Sequence, residues 1–210
     1  MAANAVPTTV SIRSPSAHTL AGAKNVKPPI SPPTVEWMSG TWHVTHSTLS
    51  MWKDRFGVRI TYTPLSSSIR KEKKAFPNLK DVVEYQNTPG GRYSSVNGVS
   101  RSVTVPDLGT GWAFSWRGKG LLMIANSQWE VLGYGTDLSG ASSDAEGQGR
   151  DWIVTYFGET IFTPAGIDIY CRSEDGVSAE CLEAIKAELA KFERPSLKRL
   201  STELFAIPRK

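Results

Sequence analysis

The chain has 210 residues, 40% hydrophobic and 10% aromatic, which suits one domain with a sizeable core and excludes disorder throughout. Its formal net charge of +4 traces to the first segment, where Arg13, Lys24 and Lys27 are the only charges before Glu36. The remainder is nearly neutral, which argues against nucleic acid or an anionic membrane as partner.

The start lacks the continuous apolar core of a secretory signal, and no run approaches the roughly 18 apolar residues of a membrane span. Two cysteines, Cys171 and Cys181, and no N-glycosylation acceptor set the expectation of a soluble protein in a reducing, cytoplasmic compartment.

Six of the thirteen prolines fall between Met1 and Pro33, ending in "KPPISPP", a composition that favours extended or polyproline chain. Residues 1–33 are read as a flexible tail, with an ordered strap across the body or an acid-free transit segment as alternatives. Residues 34–210 are read as the folded domain.

After Pro33 the pattern changes to short segments of period two, punctuated by glycine, asparagine and proline, as in antiparallel β-structure. "TWHVTHSTL" places Trp42, Val44, His46 and Thr48 on one face; "VRITYTPL" places Val58, Ile60 and Tyr62 on one face and Arg59 on the other. Further strands are expected at residues 81–86, 99–105, 112–118, 121–135 (two strands or one bent strand), 151–158 and 166–172. The steps "TPGGR", "VNGV", "RGKG" and "TPAG" supply turn chemistry. "RKEKK", from Arg70 to Lys74, reads as a solvated loop or strand end. Asp137 to Asp151 reads as a mobile hairpin tip. Eight or nine strands joined this way leave two open edges unless the sheet closes, so the fold class is mainly β: a single up-and-down antiparallel barrel.

Helix is expected only near the end. Ser178 is a plausible N-cap for a segment whose Leu182, Ile185, Leu189 and Phe192 form one apolar stripe. Pro195 ends or interrupts it, and Leu197, Leu200 and Leu204 offer a second stripe. Both are expected to pack on the outside of the barrel.

This order of parts resembles the lipocalins and the wider calycin group. Gly40-Thr41-Trp42 looks like their G-x-W step on the first strand, Thr136-Asp137-Leu138 resembles two thirds of the T-D-Y step before the seventh, and Arg172 stands where the family places an arginine that stacks on the first-strand tryptophan. Leu138 departs from the family's aromatic, and "SGASSDAEGQGR" lengthens the connection after it. The likeness covers residues 36–192 and is similar to the outlying, intracellular kind found among fungal lipocalin-like proteins. It implies a structural Trp42–Arg172 pair at the closed end.

Familiar catalytic motifs are missing. There is no Walker loop, Cys-x-x-Cys, His-x-x-x-His or nucleophile elbow, so no metal and no cofactor is expected. His43 and His46, three apart on a strand, are expected on opposite faces, which argues against a metal site built from them.

What remains is an aromatic-lined barrel with room for one small hydrophobic or amphipathic ligand. The residues expected to contact it are Val44, Ile60, Glu84, Trp116, Arg117, Trp129 and Trp152. His46, Tyr62 and Tyr156 are the candidate acid–base groups. The barrel either carries its guest passively or acts on it without cofactor, as a cyclase, isomerase or dehydratase of a polyketide- or terpene-like metabolite would. If its own side chains fill the lumen, a structural or interaction role replaces both. A weaker alternative is a haem-binding barrel of the nitrobindin kind, for which His18 and His43 are unpersuasive ligands. The partner expected is a small molecule, with the oligomeric state left open.

Overall fold

In a computed structural model of the chain, the residues described are 9–65, 76–119, 126–139, 149–161 and 163–209. The expected loop at Arg70–Lys74 and the centre of the Asp137–Asp151 tip fall outside them.

A four-residue helix, α1 (Val35–Met38), leads into the sheet; Thr34 caps it by accepting from the Trp37 backbone N–H at 3.2 Å. Eight strands follow: β1 (Gly40–Ser47), β2 (Phe56–Pro64), β3 (Leu79–Gln86), β4 (Tyr93–Val105), β5 (Gly109–Gly118), β6 (Asn126–Asp137), β7 (Arg150–Phe157) and β8 (Gly166–Cys171). Each pairs antiparallel with the next, and β8 returns to β1, so the sheet closes as an up-and-down barrel. The expected segment at 121–135 is one strand over its described part.

Two helices follow, α2 (Ala179–Leu189) and α3 (Pro195–Glu203). Ser178 caps α2, accepting from Cys181 N at 3.1 Å, and Pro195 opens α3 at the position where its missing N–H costs nothing. The sequence reading carried the second apolar stripe through Leu204 as helix. The chain instead turns into a two-residue strand, β9 (Phe205–Ala206), which pairs with His46 and Ser47 of β1. There β1 and β2 part company: their pairing covers only Gly40–His43, and Gly57 N donates to Pro208 O at 2.9 Å. The C-terminal residues therefore patch the seam between the first two strands.

The barrel wall separates two cores. Inside lie Trp42, Val44, Ile60, Tyr62, Phe114, Trp129, Ile153 and Tyr170. Outside, Trp152, Val154, Tyr156, Ile167 and Ile169 pack beneath Cys181, Ile185, Leu189, Leu197 and Leu200 of the two helices. Such a double-sided wall explains why β7 and β8 read as continuous apolar runs with weak alternation.

Residues 9–21 run along the outer wall as a strap, and the chain then passes to the closed end, where Ile30 packs against the inner core and Ser31 O accepts from the Tyr134 hydroxyl at 3.0 Å. Val10, Ile12 and Leu20 join the outer core, and Arg13 N donates to Leu132 O at 2.9 Å. Glu130, wholly buried on the outer face of β6, accepts from Ser16 N at 2.8 Å and is bonded by the Thr19 hydroxyl and the Arg13 guanidinium.

One end of the barrel is plugged. Trp42 is fully buried and donates Nε1–H to Met38 O at 2.9 Å. The Arg172 guanidinium lies 3.7 Å from the Trp42 ring centroid while donating to the carbonyls of Thr41, Trp37 and Ser39. Asp137 fixes the far side of the wall: buried, it accepts from Ser178 N at 2.6 Å and Ser139 N at 2.9 Å, which ties the end of β6 to the start of α2. Leu138 beside it is 60% exposed, so no aromatic is needed there.

Candidate functional site

Antiparallel partners share a face of the sheet, so the registers assign every side chain to lumen or exterior. Val44 pairs with Tyr170, Ile60 with Val83, Tyr62 with Asp81, and Phe114 with Trp129; all of these join the inner core or its polar groups. Of the residues expected to meet a ligand, Val44, Ile60, Tyr62, Trp116 and Trp129 are thus inside.

The other five are not. Alternation along β1 breaks between Val44 and His46, where Thr45 is the extra residue of a β-bulge. Its hydroxyl lies 3.2 Å from Ile169 O, and its carbonyl accepts from Ile207 N of the C-terminal segment at 2.9 Å. One inserted residue flips the parity, so Ser47 takes the inward position and His46, opposite Ile169, faces out. The expectation that His46 enters the lumen is corrected accordingly. The expectation that His43 and His46 lie on opposite faces falls for the same reason. Both line an outer cavity of about 220 Å³ at the β1–β2 seam, with Glu174, Asp175 and Arg209 at its edge. Burial lowers the His46 pKa below the ordinary imidazole value, helped by Lys186 and Arg209. Among the described residues, no group of three or more His, Cys, Asp or Glu is placed to hold a metal.

Glu84 lies on the outer face of β3, bonded to Arg59 at 2.8 Å. Arg117 is exposed near the end of β5, between Val99 and Asn126. Trp152 and Tyr156 face the helices; Tyr156 stands at an outer groove of about 480 Å³ with Leu20, Arg194 and Leu197, its pKa pushed up to about 12, chiefly by burial. Alternation correctly grouped Trp152 with Tyr156, but with helices covering the outer wall both faces of β7 are apolar, and composition cannot separate inside from out.

The centre of the lumen is filled by its own side chains, so among the described residues the open aromatic-lined chamber expected from the sequence is not there, and a guest in the lumen requires side chains to move. Trp129 stacks on Phe114 at 4.3 Å between centroids and on Tyr62 at 5.7 Å. Two buried aspartates flank this stack, neither anticipated from the sequence. Asp81 accepts from Ser100 Oγ and Trp116 Nε1, both at 2.6 Å, and Ser100 Oγ in turn accepts from Trp129 Nε1 at 3.0 Å; burial raises the Asp81 pKa. Gly98 makes room for this arrangement, since a Cβ there would stand 2.1 Å from the Trp116 indole nitrogen.

Asp168 lies on β8, close to the end of the barrel opposite the plug. It accepts from Ser47 Oγ at 2.5 Å and from Trp52 Nε1 at 3.3 Å. Burial pushes its pKa up to about 7, even though both donors favour the ionised form. Trp52 comes from the 3-10 turn Ser50–Trp52 in the β1–β2 connection, which folds over this mouth and brings its indole 6.2 Å from the Tyr85 ring. Beside Asp168, the hydroxyl of fully buried Tyr170 lies near Tyr62 and Thr155 but meets hydrogen-bond geometry with neither.

A signal for this site was present in the sequence. Arg172 was placed under Trp42, and counting back by twos along the same strand puts Tyr170 and Asp168 inward.

No protein-family model matches the chain, and no curated protein matches its sequence. Solved structures do resemble it. The amine-binding protein of Rhodnius prolixus, determined as its tryptamine complex, superposes with a TM-score of 0.53 at 14% identity over 94% of this chain and 86% of that one. The fold is lipocalin-like. A selenomethionine derivative of a biogenic amine-binding protein gives a TM-score of 0.50 at 12% identity, covering 87% of this chain and 85% of that chain. The siderocalin Ex-FABP gives 0.47 at 12%, covering 82% and 94%. At these identities the likeness extends to the fold alone.

Proposed function

We propose that the barrel binds one small amphipathic molecule at the mouth of its lumen, beneath the β1–β2 connection. The observation that carries this reading is the pair Asp168 and Tyr170: an ionisable carboxyl and an unpartnered hydroxyl buried inside an aromatic wall. Burying such groups costs free energy that a sheet built for stability alone has no reason to spend. The closed position of Trp52 means that a guest enters only when that indole swings out. That a Rhodnius protein of similar fold was determined as its tryptamine complex supports a small-molecule guest for this fold. Native mass spectrometry of protein purified from its own source tests the reading: a noncovalent adduct lost on Asp168→Asn supports it. No adduct, together with no uptake of a neutral fluorescent probe such as N-phenyl-1-naphthylamine, removes it.

A second reading gives the site chemistry on its guest. A carboxyl with a pKa of about 7 exchanges protons at neutral pH, and Tyr170 stands ready to polarise a carbonyl. The cofactor-independent cyclisation, isomerisation or dehydration of a polyketide- or terpene-like metabolite then rests on Asp168 rather than on His46 or Tyr156. Recovered ligand that changes chemically with wild-type protein, at a rate reduced roughly 10²- to 10⁴-fold by Asp168→Asn, supports this over passive carriage. A cytoplasmic location fits a sequence with only two cysteines and no N-glycosylation acceptor.

A further inference from the structure

The upper lumen carries one sign of charge. Above the Trp42 plug, the ionisable side chains that the strands turn inward among the described residues are Asp81, Asp168, Tyr62, Tyr85 and Tyr170. These are acids and phenols, with no cation among them. Asp81 is held by donors on neighbouring strands. Asp168 differs, because one of its two donors is the indole of Trp52, which belongs to a connection and not to the sheet. That indole covers Asp168 much as a flat guest with an N–H would. Adjacent Tyr170 has a wholly buried hydroxyl without a partner, a state that typically costs about 1–3 kcal/mol.

We propose that this mouth, read as above as a ligand chamber, takes a protonated primary amine on a small aromatic body, its ammonium between Asp168 and Tyr170 and its ring in the place of the Trp52 indole. An ammonium brings three donors. Each Asp168 oxygen keeps a lone pair beyond the bond it now accepts, and Tyr170 Oη is free to accept. The surrounding ring faces favour a cation, as the rim already shows, where the Arg55 guanidinium lies 5.1 Å over the Tyr85 ring. A lone ammonium would be expelled by its desolvation cost, but pairing with the carboxylate leaves the site neutral overall. Tyr62 and Tyr170, which face Asp168, have pKa values well above 10 and stay protonated. The proton that Asp168 gives up on binding passes to the buffer. Because burial raises its pKa, binding an ammonium near neutral pH releases a fraction of a proton per site.

The test uses three near-isosteric probes, 2-phenylethylamine, 2-phenylethanol and 3-phenylpropanoate, titrated calorimetrically into the full chain and into Trp52→Ala, with Trp52→Leu as a second variant should the alanine protein not fold. The expected result is amine binding at least tenfold tighter than alcohol, the acid weakest, proton release in buffers of different ionisation enthalpy, and loss of the amine preference in Asp168→Asn. Alcohol binding as tight as amine overturns the amine inference and leaves the ligand chamber standing. So does uptake of N-phenyl-1-naphthylamine with none of the three probes bound. Failure of all four probes removes the chamber itself.

Discussion

Arg172 and Trp42 meet face to face across the closed end of the barrel, the guanidinium 3.7 Å from the ring centroid, although 130 residues of sequence separate them. The same guanidinium donates to the carbonyls of Thr41, Trp37 and Ser39, so it ties the entry helix, the first strand and the end of the last into one knot. Arg172→Ala is expected to lower stability by about 2–4 kcal/mol in urea denaturation, because charge-assisted bonds and the ring contact go together. Arg172→Lys should recover little, since an ammonium cannot reproduce the planar fork. Full recovery by lysine would show that charge alone matters.

Glu130 and Arg13 form a buried pair that fastens the strap to β6. Removing one partner of such a pair leaves a buried charge and typically costs about 3–5 kcal/mol. Arg13→Met should therefore destabilise the protein by an amount near the lower end of that range, since release of the strap lets Glu130 rehydrate. Limited proteolysis with trypsin provides the check: cleavage after Lys24 should accelerate in the variant and stay slow in wild type.

The raised pKa of Asp168 makes stability depend on pH. An acid whose pKa climbs on folding, here from 3.8 to about 7, is stabilised in its protonated form, so its contribution is greatest below pH 3.8. It declines as pH rises toward about 7 and is flat beyond, with a slope of at most about 1.4 kcal/mol per pH unit. Asp81, also raised by burial, adds in the same direction, whereas His43 and His46, whose pKa values burial lowers, add the opposite slope below pH 6.5. The difference between wild type and Asp168→Asn isolates the one group. Relative to wild type, the variant should gain thermal stability steadily from pH 4 to pH 7; a pH-independent difference would place the Asp168 pKa near its ordinary value.

Because Thr45 turns His46 outward, His46→Ala should leave ligand affinity within about twofold of wild type. Ser47→Ala, one residue on, should weaken it more, since Ser47 holds Asp168 from inside. Calorimetry with the best-bound probe decides, and a large His46 effect with none at Ser47 would move the site to the seam cavity.

The sequence made the barrel legible because its period-two segments are local signals, although "VNGV", read there as a turn, lies inside β4, and the plug because Gly40, Trp42 and Arg172 stand in motif order. On β2 the inward side was legible too, as Ile60 and Tyr62 show, whereas on later strands alternation sorted residues into two faces without saying which turns inward: Trp116 and its neighbour Arg117 were both expected at the ligand, and only Trp116 faces the lumen. His46 was lost to a single inserted residue: a bulge depends on what the neighbouring segments offer Thr45, here the Ile169 carbonyl and the Ile207 N–H, and not on anything written between Val44 and His46. Asp81 and Asp168 were passed over because an isolated acid in an apolar strand reads as an outward charge. Only the register shows that each sits between indole and hydroxyl donors. Tyr156 and Trp152 misled for another reason, since the helices that cover them lie beyond the barrel in sequence and give the outer wall the same composition as the inner.

The seam between β1 and β2 sets an order of events during synthesis. Thr45 is made about 160 residues before the Ile207 whose amide it receives. While the chain is still emerging, the nascent barrel has a slot beside its mouth that nothing earlier in the chain closes. A guest present at that stage meets a wider doorway than the finished wall leaves. Protein folded in the presence of its ligand is therefore expected to load faster than protein that meets it afterwards, and the last few residues act as the mason's final course.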